Sequence, residues 1–261
     1  VEALRTPVPA KIGLMRTPLV AAFTLLATVA HAAPPRAEIQ VALCEPIATL
    51  ERKLDLRPRG APYETWLFDD DALSLLDRGL RLRLRAKAGG SELTLKVARQ
   101  DCMALPRDAI PKAEGKCEYD VYGDSSDGAV SLTRPLDAAA TRELLAGKSN
   151  VATLLSDAQL RYLRDVAKSW PLPSDLRPLG PISNRVYTAS RYDVDLSALP
   201  DGQRHAEISD KVPLERASGE RDRLLRYLAQ AGVVVCADQG GQAAAKMRRL
   251  TGTQDAYLPR R

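Results

Sequence analysis

Residues 67–98 read LFDDDALSLLDRGLRLRLRAKAGGSELTLKVA, and the alternation inside this stretch decides the fold. Leu80, Leu82 and Leu84 alternate with Arg81, Arg83 and Arg85, so on a strand the leucines share one face and the arginines the other. Beyond a Gly89-Gly90 turn, Leu93, Leu95 and Val97 oppose Thr94 and Lys96, and the two runs read as a hairpin. Such a hairpin offers an aliphatic face to a core and a row of cations to whatever lies opposite. A solvated basic face is the plain reading of that row. Other strand candidates point further: Glu38 and Gln40, Glu118 and Asp120, and Glu207, Ser209 and Lys211 each share a face by parity. If the sheet closes, these faces line an interior able to hold a polyanion together with a divalent cation, because Arg forks match phosphate oxygens and carboxylates hold magnesium.

Working outward, the spacing predicts strands at Glu38–Cys44, Tyr63–Phe68 and Cys117–Tyr122, and a second hairpin from Arg185–Leu196 and Arg204–Val212 around Pro200-Asp201-Gly202. Helices are expected at Ile47–Leu56, through Asp137–Trp170, at Leu214–Ala231 and at Gln242–Leu250, with a single turn at Ala72–Asp77. Pro171–Pro181 holds four prolines and reads as a connector. Strands, helices, strands and helices in that order indicate α+β with a mostly antiparallel sheet.

The 261-residue composition narrows the chemistry. Two histidines, His31 and His205, exclude zinc sites built on several histidines. No G-x-S-x-G elbow, Walker A motif or G-x-G-x-x-G loop occurs, so any chemistry falls to carboxylates, Arg and Lys. A net charge of +5 with both signs mixed suits an anionic ligand and is too weak to indicate nucleic acid. His205 shares a face with Glu207, and a structural role is its default. For Lys246, Arg248 and Arg249 the default is a basic helix end interacting with the helix dipole.

Met15-Arg16, an apolar run over Leu19–Ala30 and Ala30-His31-Ala32 describe a signal peptide over 15–32, with 1–14 an over-extended start and 33–261 the mature domain. The expected location is periplasmic or secreted, with no integral membrane span after cleavage. Four cysteines in the mature part fit export and allow three pairings. The short spacing favours Cys102 with Cys117, leaving Cys44 for Cys236.

Phe68-Asp69, Leu73, Leu75-Leu76, Gly79, Leu82-Arg83-Leu84-Arg85 and Leu93-Thr94-Leu95-Lys96 resemble the signature stretch of the CYTH superfamily, the triphosphate tunnel metalloenzymes. Leu176-Arg177-Pro178-Leu179 with Arg185 and Tyr187 is similar to the opening of the family's second half. The resemblance implies a closed antiparallel β-tunnel of about eight strands with flanking helices. It implies phosphate contacts from Arg83, Arg85, Lys96 and Arg185, catalytic carboxylates at Glu38, Glu118 and Glu207, and a magnesium or manganese ion held by Glu38, Asp120 and Glu207.

The family's opening Glu-x-Glu-x-Lys strand is here Glu38, Gln40 and Ala42, and its later carboxylate pair is Glu207 and Ser209. Neutral groups at metal-ligand positions weaken metal binding and catalysis, because magnesium is held by few carboxylates. The expectation is a protein that binds triphosphate, polyphosphate or another phosphorylated small molecule with little catalysis. A metal-dependent triphosphatase and a structural envelope protein whose interior is closed by salt bridges are the alternatives.

Overall fold

The computed structural model describes residues 35–106, 108–239 and 242–252. The proposed over-extended start and signal peptide, with Met15, His31 and Ala32, lie outside the described residues. The arginine hairpin forms as its alternation requires: β4 (Leu80–Lys87) pairs antiparallel with β5 (Gly90–Ala98), Arg83 opposite Thr94 and Arg81 opposite Lys96. The turn falls on Ala88-Gly89, one residue earlier than expected, and Gly90 opens β5 at a φ of 142° that disfavours a side chain.

Around this hairpin stand β1 (Arg36–Leu43), β2 (Arg57–Pro58), β3 (Tyr63–Asp69), β6 (Gly115–Tyr122), β7 (Ser125–Leu136), β8 (Arg177–Ala189), β9 (Tyr192–Ala198) and β10 (Arg204–Pro213). The hydrogen-bonded order is β8-β3-β4-β5-β7-β6-β1-β10-β9, and β9 pairs back onto β8, so nine strands close a barrel and β2 adds a two-residue edge to β8. Every neighbouring pair is antiparallel except β1 with β6. Closure leaves no long unpaired edge in the barrel wall.

The strand faces are turned inside out relative to a small barrel with an apolar filling. Ile39, Val41, Val194, Leu196 and Ile208 pack outward against α1 (Ile47–Leu54) and α5 (Ala217–Gln230), through Leu50, Leu54, Leu224 and Leu228. Leu82, Leu84, Leu93, Leu95, Val130 and Leu132 pack outward against Leu144 of α3 (Ala138–Leu145), with Leu155, Tyr162 and Leu163 in the same cluster. With the apolar faces committed to the helices, the alternate residues are left to the interior.

Four expectations change. β7 went unread because Gly128 and Pro135 interrupt its pattern. Gly128 is required there: a Cβ would lie 1.9 Å from the carbonyl oxygen of Gln100. Ser190 and Arg191 turn the chain inside the expected Arg185–Leu196 strand, which is the end of β8 and the start of β9. The connector Pro171–Pro181 ends early, since β8 begins at Arg177. Pro181 is accommodated where the β3–β8 register shifts between Thr65 and Leu67. Asp137–Trp170 is a series of short elements, α3, a 3-10 turn over Val151–Leu154, and α4 (Asp157–Arg161) running into Tyr162–Val166, with Ser156 and Gln159 forming a capping box at the break.

Both disulfides follow the expected pairing, Cys44–Cys236 with Cα atoms 4.9 Å apart and Cys102–Cys117 with 5.5 Å. The first ties the end of β1 to the segment after α5. Among the described residues no helix is long and apolar enough to cross a membrane.

α6 (Gln242–Thr251) packs by Met247 against Leu67, Leu73, Leu179, Ile182 and Leu199, where β3 ends and β8 begins. Leu67 and Ile182 lie on the inward-facing parity of their strands, so α6 covers that end of the barrel.

Candidate functional site

β4 delivers Arg81, Arg83 and Arg85 to the interior, each partly buried. Burial, then the like charges of Arg85 and Arg81, pull the Arg83 guanidinium down to about 10. Burial also lowers Arg81, opposed by Asp120, Tyr122 and Glu207. The Arg85 guanidinium lies 4.8 Å from the centre of the Tyr63 ring, and its Nε is buried without a hydrogen-bond partner. Among the described residues none of these three arginines forms an ion pair with a carboxylate. Beside them Lys96 donates to Asp120 in an ion pair, and burial lowers its ammonium while Asp120 and Glu38 oppose that shift.

The carboxylates arrive on β6, β1, β10 and β9, and register sorts them into rows. Glu38 stands beside Asp120 on one side and Lys211 on the other, with the Lys211 Nζ at 3.6 Å. Next along β1, Gln40 faces Ser209. One step further Ala42 faces Glu207, and Glu207 faces Asp195. Burial pushes the Glu207 carboxyl up to about 7, with Asp195, Glu38 and Asp120 adding to it and Lys246 opposing. Burial raises Asp195 too, against the pull of Arg85 and Lys246.

Lys246 enters from α6. Its Nζ donates to Ser197 Oγ at 2.9 Å, Ser197 Oγ donates in turn to Asn184 Oδ1, and Asn184 Nδ2 donates to Thr65 Oγ1 at 3.0 Å. Burial lowers the Lys246 ammonium, and Glu207 and Asp195 work against that. The helix-dipole reading of Lys246 is therefore corrected: the side chain points at the barrel interior.

The structure brings Arg83, Arg85, Lys96, Glu38, Asp120 and Glu207 into one interior. Glu118 shares their face but accepts from Lys116 toward the start of β6. Arg185 does not join them. Its neighbour Asn184 faces inward, so alternation turns Arg185 outward with its cross-strand partner Leu196, where it is exposed. There it lines an open groove of about 650 Å³ with Glu51 of α1 and Arg204, and the inward-facing Tyr63, Asn184 and Ser197 line the same groove. Nor do Glu38, Asp120 and Glu207 converge as one donor set, because the Gln40–Ser209 row separates Glu207 from the other two. Among the described residues no group of three or more His, Cys, Asp or Glu side chains is placed to hold a metal ion.

Sequence reasoning missed Tyr63, Asp195 and Lys246. Asp195 carried a readable signal, since Tyr192–Leu196 alternates acid and apolar residues as Glu38–Cys44 does. Lys246 carried none, because only the tertiary path of α6 aims it inward.

The closed barrel, with inward rows of Arg and Lys and apolar outer faces under helices, is a fold shared with solved structures. A protein from Hippeastrum, described as an adenylyl cyclase with a dominant triphosphatase activity, superposes with a TM-score of 0.55 at 17% identity, over 85% of this chain and 97% of that one. A protein from Bacillus halodurans described as an adenylate cyclase gives 0.53 at 15% identity, over 80% of this chain and 97% of its own. No protein-family model matches the chain, and no curated protein matches it in sequence.

Proposed function

We propose that the tunnel binds a linear phosphorylated anion of the triphosphate or polyphosphate class. The supporting observation is the row of three inward guanidiniums without carboxylate partners. Enclosing like charges is costly unless a counterion is taken up, and a chain of phosphoryl groups offers oxygens at several points along such a row. The same observation disfavours the structural alternative, in which internal salt bridges would have neutralised the arginines. Two disulfides support an exported setting.

Turnover is the second reading, favoured by the triphosphatase activity named for the Hippeastrum protein. Against it stand Gln40 and Ser209, which place neutral groups between the carboxylates. Calorimetric titration with tripolyphosphate tests binding, and phosphate release with magnesium or manganese tests turnover. Saturable binding with release no faster than the uncatalysed background is the expected result. Rapid release makes the protein a triphosphatase. No binding removes the proposal.

A further inference from the structure

We infer that this tunnel takes its anion without a divalent cation, the chain's own lysines supplying the charge a metal would bring. The inference rests on the anion-binding reading above. Four of the inward carboxylates fall into two pairs, each already provided with an ammonium group, while Glu118 lies apart with Lys116. Asp120 and Glu38 adjoin in register, with Lys96 bonded to the first and Lys211 at 3.6 Å from the second. Glu207 and Asp195 adjoin in register, and Lys246 is anchored beside them on Ser197. Between the pairs lie an amide and a hydroxyl, Gln40 opposite Ser209, with Asp193 on the far side of Ser209.

Magnesium and manganese need several hard oxygen donors converging on one point, with carboxylates carrying the charge. The carboxylates next to the pairs, Asp127 in register with Asp120 and Asp193 two residues from Asp195, are already bonded to the Tyr122 hydroxyl and to Arg59, and a cation entering either pair meets a resident ammonium. Lysine is the side chain suited to that place. Its charge is compact, its three donors rotate on a flexible stem, and it turns toward phosphoryl oxygens without demanding a fixed coordination shell. Lys96 and Lys246 each face both a carboxylate and the arginine-lined space, so each can bridge protein and anion.

Two measurements on the unmodified protein decide the matter. In titrations with tripolyphosphate, the dissociation constant in EDTA is expected to equal, or be lower than, that in excess manganese. Binding tighter by more than roughly tenfold with manganese overturns the inference and leaves the anion-binding reading standing. Absence of binding in both conditions overturns the reading and the inference with it. In electron paramagnetic resonance titrations of manganese against the ligand-free protein, no saturable micromolar site is expected, and finding one overturns the inference whatever tripolyphosphate does. The combined variant Gln40→Glu, Ser209→Glu, Lys246→Met, checked for native circular dichroism, is expected to bind manganese at least roughly tenfold tighter than the unmodified protein. Unchanged manganese affinity in a folded variant overturns the roles given to these three residues.

Discussion

Arg83 has like-charged neighbours on both sides of its strand face, and burial already depresses its guanidinium. An anion that relieves this repulsion in a partly desolvated space makes charge-assisted contacts worth about 1.5–3 kcal/mol each. Arg83→Ala is therefore expected to weaken tripolyphosphate binding by that amount. Arg185→Ala, on the exposed outer face, should change it by no more than about 1 kcal/mol. Paired calorimetric titrations check this, and equal losses would place the ligand elsewhere. Glu207 gives a second expectation, in pH. Folded Glu207 holds its proton up to about pH 7 against an ordinary value of 4.5, so between those values the native state binds more protons than the unfolded state. Its contribution is fully present below 4.5 and is lost as pH rises through 7. Melting temperature is expected to fall from pH 5 to pH 8, and Glu207→Gln should flatten that fall. A slope unchanged in the variant would mean that other groups set it.

At the scale of elements, the link between β3 and β4 shows how a sequence signature is enforced. Asp69 is fully buried, and its carboxylate accepts N–H bonds from Asp70, Leu75 and Leu76 at 2.9–3.0 Å, stapling α2 (Ser74–Asp77) over the strand end. Asp69→Ala strands those donors and is expected to destabilise the fold by roughly 2–3 kcal/mol, read from urea denaturation. This same stretch was legible in the sequence because its determinants are local: alternation and a turn glycine within a few residues. β1, β6 and β10 were legible for the same reason. β7 and the start of β8 were not, since glycine and proline there answer to tertiary contacts, Gln100 lying over Gly128 and a register shift opposite Pro181. Facing was the other weak point. Arg185 was assigned inward on motif similarity, whereas the phase of alternation from Asn184 turns it outward.

For the whole molecule, closure changes what the charges mean. The bonds from β9 back to β8 turn a sheet with a basic face into an enclosure, while the Cys44–Cys236 bridge fastens β1 to the C-terminal segment across 192 residues of chain. α6 then covers one end and brings Lys246 to Asp195 and Glu207, a placement no local pattern encodes. The proposed anion binding rests on an interior that combines arginines without carboxylate partners and carboxylates matched by lysines. The most direct measurement is a crystal structure after soaking with tripolyphosphate. Phosphoryl density inside the barrel, within hydrogen-bonding distance of Arg83, Arg85 and Lys96, is the expected result. A saturated crystal with an empty barrel, or with tripolyphosphate bound only beside Arg185 and Arg204 and away from Arg83, would contradict it.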